Sequence, residues 1–353
     1  MSPPAAKPIG IGMIGAGYIA GYHVAGLRAA GGADVRVIAG RDPTRAAAAA
    51  ARYGIPNGIA DWRAVLARSD VAAVVVTTPD DTHEEIAIAA AAAGKHILLQ
   101  KPMAPTADEC RRVIAAARAA GVCLQVSFMH RYFEEVIRAR ELLAEGAIGR
   151  VFSIRMRNAT PGPDWNAWFY SKARVGGGVV MQLGVHGIDL LRHLFGDIEA
   201  LRAHAALLRT ERTLADGTLV HPDNEDHALA IYRFASGAIA THEMDMSEVH
   251  GCDRFTMEIY GERGTIWLRT MRGALAIYAP EYTGAREWVM PELPARAFGA
   301  GHHQAFLDIV RGDAAPDGTD VDGLASVVVA EAIYRASASR REVSVGAQER
   351  TIR

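Results

Sequence analysis

Ile9-Gly10-Ile11-Gly12-Met13-Ile14-Gly15-Ala16-Gly17-Tyr18-Ile19-Ala20 is the stretch on which the reading of this chain turns. The apolar run over residues 9–14 reads as a strand, and residues 18–30 read as a helix closed by Gly31-Gly32. Between them lies a G-x-G-x-x-A pattern. Gly15 permits a tight strand-to-helix turn, and Gly17 lets backbone approach a pyrophosphate at the helix N-terminus. Ala20 allows the helix to pack closely on the strand. In that setting the pattern points to a bound dinucleotide, held at Gly15, Ala16, Gly17, Tyr18 and Ile19.

Outward from this turn, short β-rich runs alternate with helical ones. Strands are expected over residues 35–39, 71–77, 96–99 and 122–127, with a short one at Ile59. Helices are expected over residues 43–53, 61–68, 83–93 and 106–120. The β-branched run at 71–77 suits a strand buried on both faces. Alternation with short connections implies right-handed crossovers and a doubly wound parallel sheet.

The second strand runs into Gly40-Arg41-Asp42-Pro43. An acidic residue at its end would bind an adenosine ribose hydroxyl, whereas a small residue followed by arginine admits a 2′-phosphate. Gly40 and Arg41 therefore lean towards NADP over NAD, and Asp42 reads as a helix N-cap before Pro43. Thr78, Pro79, His83, Gln100 and Lys101 follow strands whose C-terminal ends share the edge with Gly15, so they should border the cofactor. Lys101, followed by Pro102, is either a turn residue or the centre of a site.

The 353 residues suggest two domains, and a formal charge of −2 gives no footprint for nucleic acid or an anionic membrane. Half the residues are hydrophobic and mean hydropathy is +0.05, so a buried core is expected and disorder is not. Cys110, Cys123 and Cys252 show no metal or redox spacing and read as small core residues. The first eight residues lack the apolar segment of a signal peptide, and no run approaches a membrane span; the expected location is cytoplasmic.

Taken together, these motifs resemble the Gfo/Idh/MocA family of glucose–fructose oxidoreductase and inositol dehydrogenase. The resemblance rests on the Gly15–Ala20 pattern, Thr78-Pro79-Asp80-Asp81-Thr82-His83 and Ala93-Gly94-Lys95-His96-Ile97-Leu98-Leu99-Gln100-Lys101-Pro102. It continues in Gly176-Gly177-Gly178 followed by His186 and Asp189, and in a late helix over residues 323–335. It implies an α/β chain: a Rossmann domain over 1–127, then a substrate-binding and oligomerisation domain over 128–353 with an open, mostly antiparallel sheet. It also implies oxidation or reduction of a secondary hydroxyl of a sugar or cyclitol with NAD or NADP. Lys101 then sits beside the nicotinamide, His186 transfers the proton, and an aspartate four residues earlier contacts substrate. A homodimer or homotetramer through the C-terminal sheet is implied as well. Two positions depart from the pattern: Gln100 stands for glutamate and Gln182 for aspartate. Losing both carboxylates should lower the pKa of Lys101 and leave His186 less inclined to hold a proton, so the two share acid–base work more evenly.

In the second domain a helix is expected over residues 134–145 and a strand over 151–157. The loop at 158–175 carries Trp165, Trp168, Phe169 and Tyr170, aromatics suited to lining a substrate mouth. Gln182 and His186 lie four apart on a helix expected over 179–194, hence on one face. Lys101, Arg131, Trp165, Trp168, Gln182 and His186 make up the expected substrate contacts. Strands over 227–234, 238–246, 254–260, 265–269 and 274–278 should pair antiparallel. The His221–His227 segment fits no standard metal spacing. His302-His303 opens a helix over 304–310, and one of them can reach a substrate pocket. Two other readings fit the same residues: a glycoside-cleaving enzyme that oxidises its sugar transiently, and a non-catalytic NAD(P)-binding regulator.

Overall fold

The structure is a computed structural model that describes residues 7–346 apart from 252, 271 and 272; Cys252 and most of the N-terminal segment lie outside the described residues. The chain divides into two compact units. One runs through Met129 and takes in Ala295–Leu324; the other holds His130–Pro294 and continues from Ala325. A single boundary at 127/128 does not capture the returning segment.

The first unit contains β1 (Ile9–Ile14), α1 (Ala20–Ala30), β2 (Ala33–Ala39), α2 (Pro43–Tyr53), β3 (Asn57–Ile59) and α3 (Trp62–Leu66). β4 (Ala73–Val76), α4 (His83–Ala92), β5 (His96–Leu99), α5 (Ala107–Ala120) and β6 (Leu124–Val126) follow. All six strands are parallel, in the order β3-β2-β1-β4-β5-β6. This is the doubly wound arrangement, with its switch of direction between β1 and β4. β4 is buried along its whole length, as its β-branched run requires. Asp42 caps α2, accepting from the amides of Thr44 and Arg45 at 2.9 and 3.2 Å. Thr106 and Glu109 form a capping box on α5.

The second unit contains α6 (Glu134–Ala144), β7 (Val151–Ala159), α7 (Lys172–Val175), α8 (Val185–Phe195), β8 (Ile198–Ala206), β9 (Arg212–Thr213), β10 (Leu219–Val220), β11 (His227–Phe234) and β12 (Ile239–Asp245). After these come β13 (Phe255–Gly261), β14 (Gly264–Arg269), β15 (Leu275–Tyr278) and α9 (Pro280–Thr283). The returning segment carries α10 (Ala300–Arg311), and α11 (Thr319–Ser339) passes from the first unit into the second before β16 (Val343–Ser344). The large sheet has the order β15-β14-β13-β7-β12-β11-β8-β16. Antiparallel pairing holds for β11/β12, β13/β14 and β14/β15, but β12 and β13 do not pair with each other. Both flank β7, with β12 parallel and β13 antiparallel to it, so β7, from far earlier in the chain, takes the place between them. Alternation along β11 buries Ala228, Ala230, Tyr232 and Phe234 and exposes Leu229, Ile231 and Arg233. β8 and β16 were not evident as strands in the sequence.

His302 and His303 lie inside α10 rather than opening it, and both are buried. Phe306 and Leu307 of this helix join the core of Ile11, Met13, Val24, Leu27 and Ile38, which ties the returning segment to the first unit. Within that unit His303 Nδ1 donates to the Gly299 carbonyl at 2.7 Å, so its Nε2 is bare and accepts from His23 Nδ1 at 3.0 Å. Tyr22 hydrogen-bonds His302 Nδ1 at 3.1 Å. These rings pack for structure; neither histidine is assigned to a substrate. Burial lowers the pKa of all three histidines, to about 4 for His303 and well below the usual value for His23 and His302. At neutral pH they are neutral folded and unfolded. As pH falls below about 6.5 the unfolded chain takes up protons that the native state refuses, so this stability is fully present above that value and is lost towards the folded pKa. Denaturant titrations should show stability falling below pH 6.5 by up to about 1.4 kcal/mol per pH unit for each histidine. His303→Gln should flatten that slope, and an unchanged slope would remove the cluster as its cause.

Candidate active site

The turn after β1 is built as the G-x-G-x-x-A pattern requires. Gly15 has φ +114°, and a Cβ there would overlap the Thr77 carbonyl at the end of β4. Thr77 Oγ1 donates to the Gly15 carbonyl at 3.0 Å and locks the two strand ends together. Gly17 differs: a Cβ placed on it would meet nothing within 4 Å. Packing does not demand glycine at 17, and the space beside it is open. α1 begins just beyond, with no side-chain cap and no acidic residue in its first turn, so its amides and dipole are left for an anion. This cradle fits a dinucleotide pyrophosphate, with Ala16, Tyr18 and Ile19 completing the turn. Tyr18 is 76% exposed.

At the end of β2 a Cβ on Gly40 would come within 3.2 Å of the Ala16 Cβ, so a side chain there would crowd the loop. Arg41 follows, exposed, and Asp42 is committed to capping α2. Thr78 and Pro79 follow β4. His83, the first residue of α4, is fully buried and spans two turns: Nδ1 lies 2.9 Å from the Pro102 carbonyl and Nε2 lies 3.0 Å from that of Thr78. It therefore braces the loops that follow β4 and β5.

Lys101 stands just past β5, and its bond to Pro102 is cis. The Gln100 side chain folds back, its Oε1 accepting from the Lys101 backbone amide at 3.0 Å. The lysine is half-buried, and desolvation brings its pKa down to about 8, opposed by the field of the Asp80 carboxylate. Asp80 is buried beside the Thr78-Pro79 turn. Its role was not read from the sequence, although it lies inside a motif that was.

In the second unit the helix bearing Gln182 and His186 is anchored from below and from its N-terminus. Its first turn is a π-helix, Val180–Gly184, with the Val185 amide bonded to the Val180 carbonyl; α8 follows. The sequence suggested a uniform α-helix. π turns of this kind recur at functional sites. Gln182 and His186 are 8% and 7% exposed. A Cβ on Gly187 would overlap Asn158 Oδ1 and the His242 ring, and Asn158 and His242 bond each other at 2.7 Å. Glycine there lets the helix lie flush on β7 and β12.

Glu225 holds the helix start. Its Oε1 accepts from the amides of Gly178 and Val180 at 2.8 and 3.2 Å and from the Tyr334 hydroxyl at 2.8 Å. A Cβ on Gly178 would overlap the Glu225 carbonyl oxygen. Asn224 Nδ2 donates to the carbonyls of Phe169 at 2.9 Å and Gly177 at 3.0 Å, which joins the aromatic loop to the same clasp. In that loop Trp168 stacks on Phe169 with ring centroids 3.8 Å apart, and Trp165 stands half-exposed against the edge of Phe169. The 221–227 segment thus works as a structural clasp, and no group of three or more potential ligands for a metal occurs among the described residues.

Arg131 is buried, and its Nε and Nη2 donate to the two carboxylate oxygens of Asp189, one turn beyond His186. Its guanidinium braces the helix. Its neighbour His130 packs on His186 itself, a contact with no signal in the sequence beyond the presence of a histidine.

Asp80→Asn should leave desolvation of Lys101 unopposed and bring its pKa below about 8. An NMR titration of the Lys101 side-chain nitrogen would show this, and an unmoved midpoint would exclude Asp80 as its electrostatic partner.

Residues 9–128 match the oxidoreductase family with an NAD-binding Rossmann fold, and residues 136–267 match the GFO/IDH/MocA C-terminal domain. The 1,5-anhydro-D-fructose reductase of Ensifer adhaerens is 30% identical over 90% of this chain and 92% of its own length. The levoglucosan dehydrogenase of Pseudarthrobacter phenanthrenivorans is 33% identical over 65% of this chain, an alignment that spans 64% of that enzyme. A solved levoglucosan dehydrogenase in complex with NADH and levoglucosan superposes with a TM-score of 0.87 at 28% identity, covering 96% of this chain and all of that one. No described helix is long and apolar enough to cross a membrane. With both of its domains matched and a relative aligned nearly end to end, the chain belongs to the Gfo/Idh/MocA oxidoreductases.

Proposed function

We propose that this protein is a dehydrogenase or reductase that interconverts a secondary hydroxyl and a carbonyl on a sugar, cyclitol or related polyol. The observation that carries the reading is Lys101, poised near pH 8 at the C-terminal edge of the sheet that also presents the open cradle at Gly17. The relatives' substrates, levoglucosan and 1,5-anhydro-D-fructose by name, supply the substrate class. A nicotinamide, when bound, supplies the hydride acceptor. His186 takes the hydroxyl proton, with Lys101 sharing that work, and Gln182 hydrogen-bonds a neighbouring hydroxyl. The uncharged amides of Gln100 and Gln182 support the even division of labour, since neither adds a negative field to hold a proton on its neighbour. Trp165 and Trp168 offer flat apolar faces to a sugar ring. We assign NADP over NAD on Gly40 and the exposed Arg41, and a cytoplasmic location in keeping with a soluble nicotinamide pool.

The test is steady-state kinetics with NAD and NADP on levoglucosan, 1,5-anhydro-D-fructose and myo-inositol. His186→Asn should lower kcat by about 10²–10⁴-fold with cofactor affinity nearly unchanged. Arg41→Ala should raise KM for NADP and spare NAD. Cofactor binding with no hydride transfer to any polyol would overturn the reading.

The open face of the large sheet carries Leu229, Ile231 and Ile239, each about half-exposed on neighbouring strands β11 and β12. We assign this stripe to a second copy of the chain, as a dimer or tetramer contact. Light scattering should give a dimer or tetramer that Ile231→Glu dissociates; a monomeric wild type would exclude it.

A further inference from the structure

His130 lies in the short turn Met129–Tyr132, and its ring is stacked face to face on His186. The centroids are 4.5 Å apart and the planes 7° from parallel. Both rings are more than nine-tenths buried. His130 is itself wedged by aromatics: Phe133 at 5.4 Å, tilted by 33°, and Phe255 of β13 at 5.7 Å, edge-on at 69°. The next residue, Arg131, forms the two-pronged ion pair with Asp189. His186 and Asp189 are three apart on α8 and so share a face. Two successive residues of one turn thus hold two positions of one helix.

We infer that His130 is a positioning residue whose flat ring sets the plane of His186 for proton transfer. The inference rests on the acid–base role proposed above. Helix geometry fixes the Cα–Cβ direction of His186, but the torsion that turns its ring is broad, so backbone alone does not aim a ring nitrogen. A parallel ring wedged against it removes that freedom, and proton transfer depends on such aim. The requirement is a planar face, which a phenyl ring meets and a branched aliphatic chain does not.

His130→Phe and His130→Leu separate these cases. With levoglucosan and whichever of NADP and NAD the wild type uses better, His130→Phe should keep kcat within about twofold. His130→Leu should lower it roughly ten- to a hundredfold with KM little changed. In proton–carbon NMR, the His186 ring protons, assigned with His186→Asn, should be shifted upfield in wild type and His130→Phe and released in His130→Leu. If His130→Leu does not fold, His130→Met carries the same comparison. Loss of kcat in His130→Phe with the upfield shift retained would overturn the inference, because imidazole chemistry would then be required. Wild-type kcat in His130→Leu, or no upfield shift in wild type, would overturn it as well. A wild type inert on levoglucosan, 1,5-anhydro-D-fructose and myo-inositol but showing the shift, lost in His130→Leu, would refute the functional reading and leave the positioning contact standing.

Discussion

One carboxylate oxygen, Glu225 Oε1, collects the amides of Gly178 and Val180 and the hydroxyl of Tyr334. Those amides are among the orphan donors that every helix start must satisfy, and the helix they open carries Gln182 and His186. The clasp closes only because Gly178 has no Cβ to strike the Glu225 carbonyl. The same economy recurs at Gly187, where a methyl group would collide with Asn158 and His242. Seated at its end by a carboxylate and along its length by missing side chains, the helix has little freedom to slide, and the side chains on its face inherit that rigidity. Burial pushes the Glu225 pKa up against these hydrogen bonds, and the same burial pushes Tyr334 up as well. The group that fixes the helix is therefore held at some electrostatic cost, which suits an element whose placement matters more than its stability.

In the first unit the corresponding constraint is the meeting of β1 and β4. The Gly15 turn and the Thr77 hydroxyl join the strand ends, His83 bridges to the Pro102 carbonyl, and Gln100 folds onto the Lys101 amide. Each contact acts on backbone, so the lysine's position is set by its main chain and its proton affinity by burial and Asp80. The glutamine at 100 serves here as a local backbone acceptor, and the buried charge near the lysine comes from a different strand end.

Much of this was legible in the sequence. Periodicity and turn residues located the six strands and most helices of the first unit, and the spacing of Gly15, Gly17 and Ala20 identified the cradle, because those signals are local. The caps at Asp42 and Thr106 were legible for the same reason. The strand β8 was not, since its alternation is weak, nor was the parallel pairing of β12 with β7, which depends on a partner far away in sequence. His302 and His303 show what a local reading leaves out. Two adjacent histidines invite a functional role, and only the tertiary structure reveals that Tyr22, His23 and the Gly299 carbonyl hydrogen-bond them.

By itself, then, the sequence determined the fold class and the strand–turn–helix that carries the G-x-G-x-x-A pattern, because both are written in residue types at short, fixed spacings; Lys101, Gln182 and His186 it offered as candidates through a family resemblance. Only the tertiary structure decided what surrounds them. Asp80 acts on a lysine twenty-one residues away, Glu225 and Tyr334 clasp a helix start from distant segments, and His130 stacks on His186 across more than fifty residues. Fields and packing act through space, and no local pattern in the chain encodes which distant side chain will arrive there.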